Sequence, residues 1–299
     1  MTDLVSLLDL ADLALGRCEG AVPPESRREL ASVVRRARRK LGYVGEVLVV
    51  AFAGGTGSGK SSLINAIVGE AVTRTGVVRP TTNEATAVIP ESSSNGYGRL
   101  LADLDVTNRV ESSILKSTIL VDLPDFDTGA AQHRHIVESV LPIVDAVVWI
   151  LDPEKYADRV VHDEFLAKLV PYQNQFVFVL NQTDRLGEST TLVADDLRRL
   201  LESDGFVEPE VIPAVASGPE TSVSVLVASL YRRLDAKKTV ISKLATDLRV
   251  AANDGWMAAC TEMTADADDV QVDAIGLSAA TFVSLGVEAI DMLHQVEEE

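Results

Sequence analysis

The residues Gly54-Gly55-Thr56-Gly57-Ser58-Gly59-Lys60-Ser61 fit G-x-x-x-x-G-K-[ST], a spacing whose chemistry is the holding of a polyphosphate. Glycines let the backbone curl until successive amides point inward at a phosphate, and a helix that starts there adds the positive end of its dipole. Lys60 then reaches the outer phosphates and the Ser61 hydroxyl meets Mg2+, while Gly55, Thr56, Gly57, Ser58, Gly59 and Ser62 complete the cradle. A second group lies far downstream, where Phe178-Val179-Leu180-Asn181-Gln182-Thr183-Asp184 ends an apolar run in Asn-x-x-Asp. The Asp184 carboxylate can accept two hydrogen bonds from the imino and amino groups of guanine, a pair that adenine does not present in that pattern. A site built for those donors rejects a base lacking them, because its carboxylate would be left unpaired.

Such groups act together only if the chain brings them to one place. Val47 to Phe52 is a continuous apolar run of the length of a strand buried on both faces, and Ser62 to Val68 has helical spacing stopped by Gly69, so the loop sits between strand and helix. Further apolar runs at Ala85 to Ile89, Thr118 to Val121, Ala146 to Leu151, Gln175 to Leu180 and Val211 to Val215 alternate with helical patterns at Ala130 to Val144, His162 to Val170, Thr191 to Ser203 and Thr221 to Leu234. Alternation of this kind predicts an α/β fold with a mainly parallel sheet covered by helices. In such sheets ligands bind beyond the carboxyl ends of the strands, which is where both groups fall.

Flanking this domain, expected over 44–235, are a helical segment over 1–43 and another over 236–299. The first holds a helix from Pro24 to Leu41 with Arg27, Arg28, Arg35, Arg36, Arg38, Arg39 and Lys40, a basic patch that suits anionic lipid, RNA or an acidic partner, or simply balances the chain's own acidic surface. The second reads as two helices, Lys237 to Ala259 and Val272 to Leu293, parted at Asp266, Asp268 and Asp269, whose spacing lacks the glycine and terminal glutamate of a calcium loop.

A net charge of -18 over 299 residues argues against a protein whose main business is gripping nucleic acid, since that rests on Lys and Arg displacing counterions. Cys18 and Cys260 are far apart and imply neither a disulfide framework nor a zinc site, which fits a reducing cytoplasm. Met1 to Leu10 has no basic start of a signal peptide, and the uncharged stretch Ala274 to Val287 is shorter than the roughly 18 to 20 residues a bilayer requires. The expected setting is cytoplasmic, with peripheral membrane contact left open. His133 and His135, two apart on an expected helix, face different ways and make no metal pair, while Trp149 and Trp256 read as core.

Over about residues 45 to 235 the motifs and their order resemble a translation-factor-class GTPase domain, nearest the Era-like and bacterial dynamin-like branches, with the YfjP-type members among them. Arg79-Pro80-Thr81-Thr82 is similar to that family's first switch, which implies that Thr82 closes on Mg2+ when the γ-phosphate is present. Ile119-Leu120-Val121-Asp122-Leu123-Pro124-Asp125 resembles its D-x-x-G box, with Asp122 on Mg2+ through water and the Asp125 amide at the γ-phosphate. Ala214-Val215-Ala216-Ser217 stands where the family's last box turns a backbone amide, here assigned to Ala216, toward the guanine oxygen.

Departures from the family pattern are as informative. Asp125 replaces a glycine, and its carboxylate would repel a phosphate if turned inward. Gln182 replaces a lysine, keeping an aliphatic stem over the base but losing a charge, which implies weaker nucleotide binding. Phe126 stands where some relatives carry a water-orienting glutamine, and Gly57 where others hold a monovalent cation with Asn or Ser. Arg74 and Arg79 are candidate mobile cations for the γ-phosphate, as well as ordinary loop arginines. The expectation is a Mg2+-dependent GTP/GDP switch with slow intrinsic hydrolysis, activated by a homo- or hetero-dimer across the nucleotide face, with Lys60 and Thr82 as the catalytic residues. A nucleotide-bound scaffold with negligible hydrolysis and an ATP-using P-loop enzyme are the alternatives. A membrane remodeller would want a longer helical stalk after Leu234 than these residues make, unless they are a fragment of a longer protein.

Overall fold

The computed structural model describes residues 8, 11–12, 15–16, 24–41, 47–73, 85–91, 97–124, 136–217 and 222–265. The chain divides into two compact units, Val47–Leu234 and the pair of segments Met1–Glu46 with Asp235–Glu299.

In the first unit the strands are β1 (Leu48–Gly54), β2 (Ala85–Pro90), β3 (Val106–Ser112), β4 (Thr118–Asp122), β5 (Ala146–Leu151), β6 (Phe176–Leu180) and β7 (Val211–Pro213). They form one seven-stranded sheet in the order β3-β2-β4-β1-β5-β6-β7. The run from β4 through β1, β5 and β6 to β7 is parallel, while β2 lies antiparallel to β4 and β3 parallel to β2. The mainly parallel sheet expected from the alternating runs is therefore present, with a reversed pair at one edge.

Apolar runs make β1, β5 and β6 because every side chain on them is buried. On one face Leu48, Val50, Phe52, Val148, Ile150, Val177 and Val179 pack with Leu63, Ile64 and Val68 of the helix α2 (Lys60–Val68) and with Leu226, Leu230 and Leu234. On the other, Trp149, Phe165, Phe176, Phe178 and Phe206 form an aromatic cluster with ring centroids 5.0 to 6.4 Å apart. Trp149 is core, as its place in a strand implies; Trp256 has no described side chain.

Several elements differ from their sequence reading. β3 and the short helix α3 (Gly98–Asp103) were not expected, because β3 is an edge strand whose Thr107, Asn108, Arg109 and Glu111 are all exposed and break any apolar signal. The expected helix Ala130 to Val144 is described only from Ile136, as a π-helical turn Ile136–Val140 closed by Leu141 N–H donating to the Ile136 carbonyl, and Pro142 prevents its continuation. His162 to Val170 is not one α-helix either: a π-helical turn Val160–Phe165 passes into 3-10 turns over Leu166–Gln175, where Pro171 removes a donor. The run Val211 to Val215 shortens to β7, since Pro213 has no N–H for the ladder, and Val215 instead pairs with Ser222. Helix α4 (Thr190–Asp204) is where it was expected and stops at Gly205.

The second unit contains α1 (Pro24–Leu41), on the residues expected for it, with Leu30, Val33 and Val34 buried and Arg28 and Arg35 exposed. Its other helical stretch is the later part of α5 (Ser224–Ala265), a single helix where Thr221 to Leu234 and Lys237 to Ala259 had been read as two, because no glycine or proline interrupts Asp235-Ala236-Lys237. Ile241, Leu244, Leu248 and Ala251 are its buried stripe at helical spacing. Asp266, Asp268, Asp269 and the stretches Val272 to Leu293 and Ala274 to Val287 lie outside the described residues.

Candidate nucleotide-binding site

The carboxyl ends of β1, β4, β5, β6 and β7 open on one edge of the sheet, and the motif residues sit on the connections that leave it. β1 runs into the phosphate loop at Gly54, and α2 begins at Lys60. Two glycines are required by close approach: a Cβ on Gly54 (φ 152°) would collide with the Ile150 carbonyl, and one on Gly59 (φ 95°) with the Asn181 amide. The loop closes on its own lysine. Lys60 is 4% exposed and its Nζ donates to the Gly54 carbonyl at 3.0 Å and lies 3.5 Å from that of Gly55.

Across from the loop, Ser61 Oγ donates to Asp122 Oδ2 at 2.6 Å, with Asp122 at the end of β4 and 1% exposed. A hydroxyl and a carboxylate side by side are a hard oxygen pair, the donor set Mg2+ takes while keeping several waters, so these residues fit that ion. Thr82, the third residue assigned to that ion, and Asp125, assigned to the γ-phosphate, lie outside the described residues, as do Arg74, Arg79, Phe126, His133 and His135.

Asn181 is the residue that joins the motifs. It is 1% exposed; its Nδ2 donates to the Ser58 carbonyl at 2.8 Å and its Oδ1 accepts from Ala216 N–H at 3.1 Å. One side chain thus holds the phosphate loop, the Asn-x-x-Asp turn and the loop after β7 together. The Ala216 amide, assigned from the sequence to the guanine oxygen, is occupied by Asn181, and Ser217 beside it is exposed. Gln182 adopts a left-handed backbone (φ 58°), an arrangement costing about 1 kcal/mol that persists where surrounding structure holds it. Its Nε2 donates to the Gly57 carbonyl at 2.9 Å. Thr183 anchors the turn by donating its hydroxyl to the Ala214 carbonyl at 3.1 Å, and this leaves Asp184 exposed at the tip.

Several supports were not singled out from the sequence. Asn65 Oδ1 accepts from the Val72 and Thr73 amides at 2.9 and 2.8 Å and its Nδ2 donates to the Thr73 carbonyl at 2.9 Å, which fixes the chain leaving α2. After β5, Asp152 Oδ1 accepts from the amides of Glu154 and Lys155. The segment that follows is clamped to α4 by Tyr156 Oη donating to Asp196 Oδ2 at 2.9 Å and by His162, whose Nδ1 lies 2.5 Å from Asp204 Oδ2. Burial, helped by the Asp196 carboxylate, raises the Tyr156 phenol above its ordinary pKa. An asparagine in a helix and a tyrosine in a turn carry no motif, so only the fold shows what they hold.

The sheet, the glycine loop between β1 and α2, the aspartate at the end of β4 and the Asn-x-x-Asp turn after β6 make up a P-loop GTPase fold. Residues 49–182 match the family described as 50S ribosome-binding GTPase. The chain is 28% identical over 176 residues to the probable transmembrane GTPase FZO-like, chloroplastic, of Arabidopsis thaliana, a match covering 55% of this chain and 19% of that protein. In fold it is similar to a bacterial dynamin from an oligomerised pair described as sensing and tethering membranes, at 13% identity and a TM-score of 0.50, over 83% of this chain and 55% of that one. Era in complex with MgGDPNP and a segment of 16S ribosomal RNA has a TM-score of 0.42 at 18% identity, over 62% of this chain and 56% of that one. The chain thus spans 19% of the curated relative's length and little more than half of each of these two solved chains. Among the described residues, no helix is long and apolar enough to cross a membrane.

Proposed function

We propose that the domain is a Mg2+-dependent switch that binds GTP and GDP and hydrolyses GTP slowly to GDP and phosphate. The observation that carries this reading is Asn181, which bonds the Ser58 carbonyl and the Ala216 amide and so draws the polyphosphate loop and the base-reading turn to one edge of the sheet. The amides from Gly55 to Ser62 and the Lys60 ammonium grip the phosphates, Lys60 exchanging its Gly54 and Gly55 carbonyls for phosphate oxygens. Asp184, exposed beside them, accepts the imino and amino protons of guanine, and the Ser217 amide, next to the occupied Ala216, takes the guanine oxygen.

Ser61 and Thr82, with Asp122 through water, would hold Mg2+, and the ion would supply neutralisation of the phosphate charge. The contribution of the chain to hydrolysis is positioning and electrostatics: Lys60 and the loop amides face the charge that develops as water attacks the γ-phosphate, and Thr82 closes over it. With Phe126 where a water-orienting glutamine stands in some relatives, the isolated domain is slow, and a second molecule across the nucleotide face supplies the missing groups. The solved dynamin of similar fold is described as oligomerised, which supports that part of the reading. Single-turnover hydrolysis measured at low and high protein concentration tests it: the rate per molecule rises with concentration. A rate that stays negligible at every concentration, with GTP bound, favours a nucleotide-dependent scaffold, for which Asp125 and Phe126 are the motivating residues.

A further inference from the structure

The base-reading turn carries a connection that the nucleotide site by itself does not require. Gln182 Oε1 accepts from Arg185 Nη1 at 2.8 Å, while Gln182 Nε2 donates to the Gly57 carbonyl at 2.9 Å. Arg185 Nη2 is in turn paired with Glu154, in the turn after β5 that Asp152 fixes by accepting the Glu154 and Lys155 amides at 2.9 and 3.1 Å. Four residues in line thereby join the turn after β5, the base-reading turn and the phosphate loop.

A carboxamide has two chemically different ends of the same size, one donating and one accepting. Left alone, the Gln182 amide can present either end to the Gly57 carbonyl, and only one of them bonds. A guanidinium has no acceptor, so Arg185 requires the oxygen on its own side and thereby turns the NH2 group to Gly57. A lysine, which the resemblance puts in this place elsewhere, would need no such partner, because an ammonium only donates; next to Arg185 it would be repelled. Arg185 also ends the short 3-10 turn Thr183–Arg185 whose middle residue is Asp184. Holding Arg185 therefore holds the backbone that presents the guanine-reading carboxylate.

We propose that Arg185 is a positioning residue for guanine nucleotide binding, which orients Gln182 against the phosphate loop and lets a neutral amide stand where a lysine's charge would otherwise serve. The inference rests on the nucleotide-site reading given above. The Arg185 and Glu154 side chains are 48% and 64% exposed, so water screens the pair and the effect is modest. An exposed pair of about 0.2 to 1 kcal/mol corresponds to about a 1.5- to fivefold change in affinity.

Calorimetric titration of GDP with Mg2+ into the full chain, its Arg185→Ala and Gln182→Lys variants and the double variant tests it. In the natural background Arg185→Ala weakens GDP binding by up to about fivefold. In the Gln182→Lys background the same substitution tightens binding, because it relieves a repulsion. A reversal of sign is not what general loosening of the turn would produce, and unchanged thermal midpoints for the variants exclude misfolding. Arg185→Ala having the same effect in both backgrounds, or none in either, overturns the inference while leaving the nucleotide site standing. Failure of the unaltered chain to take up GDP at all overturns the site and the inference with it.

Discussion

Single residues decide what this site holds, and their contacts set the size of each effect. Lys60 is buried against two carbonyls of its own loop, positions that phosphate oxygens would compete for. Lys60→Ala removes charge-assisted bonds of about 1.5 kcal/mol each, so two of them lower GDP affinity roughly a hundredfold in a nucleotide titration. Asn181 acts differently, because its replacement leaves the Ser58 carbonyl and the Ala216 amide buried without partners. Asn181→Ala is expected to destabilise the fold by about 2 to 4 kcal/mol, read as a lowered urea midpoint, as well as weakening nucleotide binding. Asp184 is exposed and should cost the fold little, so Asp184→Asn separates recognition from stability: the unfolding midpoint stays, and the preference for guanine over adenine falls. Lys60, Ser61, Asn181 and Asp184 were named from their spacing, and Asp122 from the resemblance of its segment to a family box. Gln182's link to Arg185 was not, since the glutamine registered only as a missing lysine and a loop arginine has no pattern of its own.

At the scale of elements, what holds the site is the set of turns that leave the sheet. The turn after β5 is tied to α4 through Tyr156 and Asp196. Because burial raises the Tyr156 pKa, the folded state keeps its proton where the unfolded chain has begun to lose it. The stability this bond contributes is therefore complete below the phenol's unfolded pKa and falls as pH rises toward and through the raised folded value. Tyr156→Phe is expected to lose about 1 kcal/mol at neutral pH and to show a flatter alkaline decline than the unaltered chain, measured as urea midpoints across pH. The buried elements were the legible ones: every apolar run named from the sequence lies on a strand, since a strand covered on both faces must be apolar throughout. β3 was hidden because an exposed edge strand needs no such run, and the turns over Val160–Gln175 because their geometry is dictated by Pro171 and by the clamp to α4, neither of which shows in periodicity.

For the whole molecule, a net charge of -18 stands beside the proposed triphosphate site, so on that reading attraction comes from the local field of the loop amides, Lys60 and a Mg2+ ion rather than from the chain's overall charge. Added salt is accordingly expected to change nucleotide affinity only weakly, in contrast to the steep dependence of a protein that binds through many surface cations. On this reading one edge of the sheet recognises guanine and grips a triphosphate together. Calorimetry of the purified chain with GTP and with ATP, magnesium present in both, tests that most directly. Saturable GTP binding is expected, with ATP weaker by at least about tenfold, about 1.4 kcal/mol of discrimination. Equal affinity for the two nucleotides would contradict it.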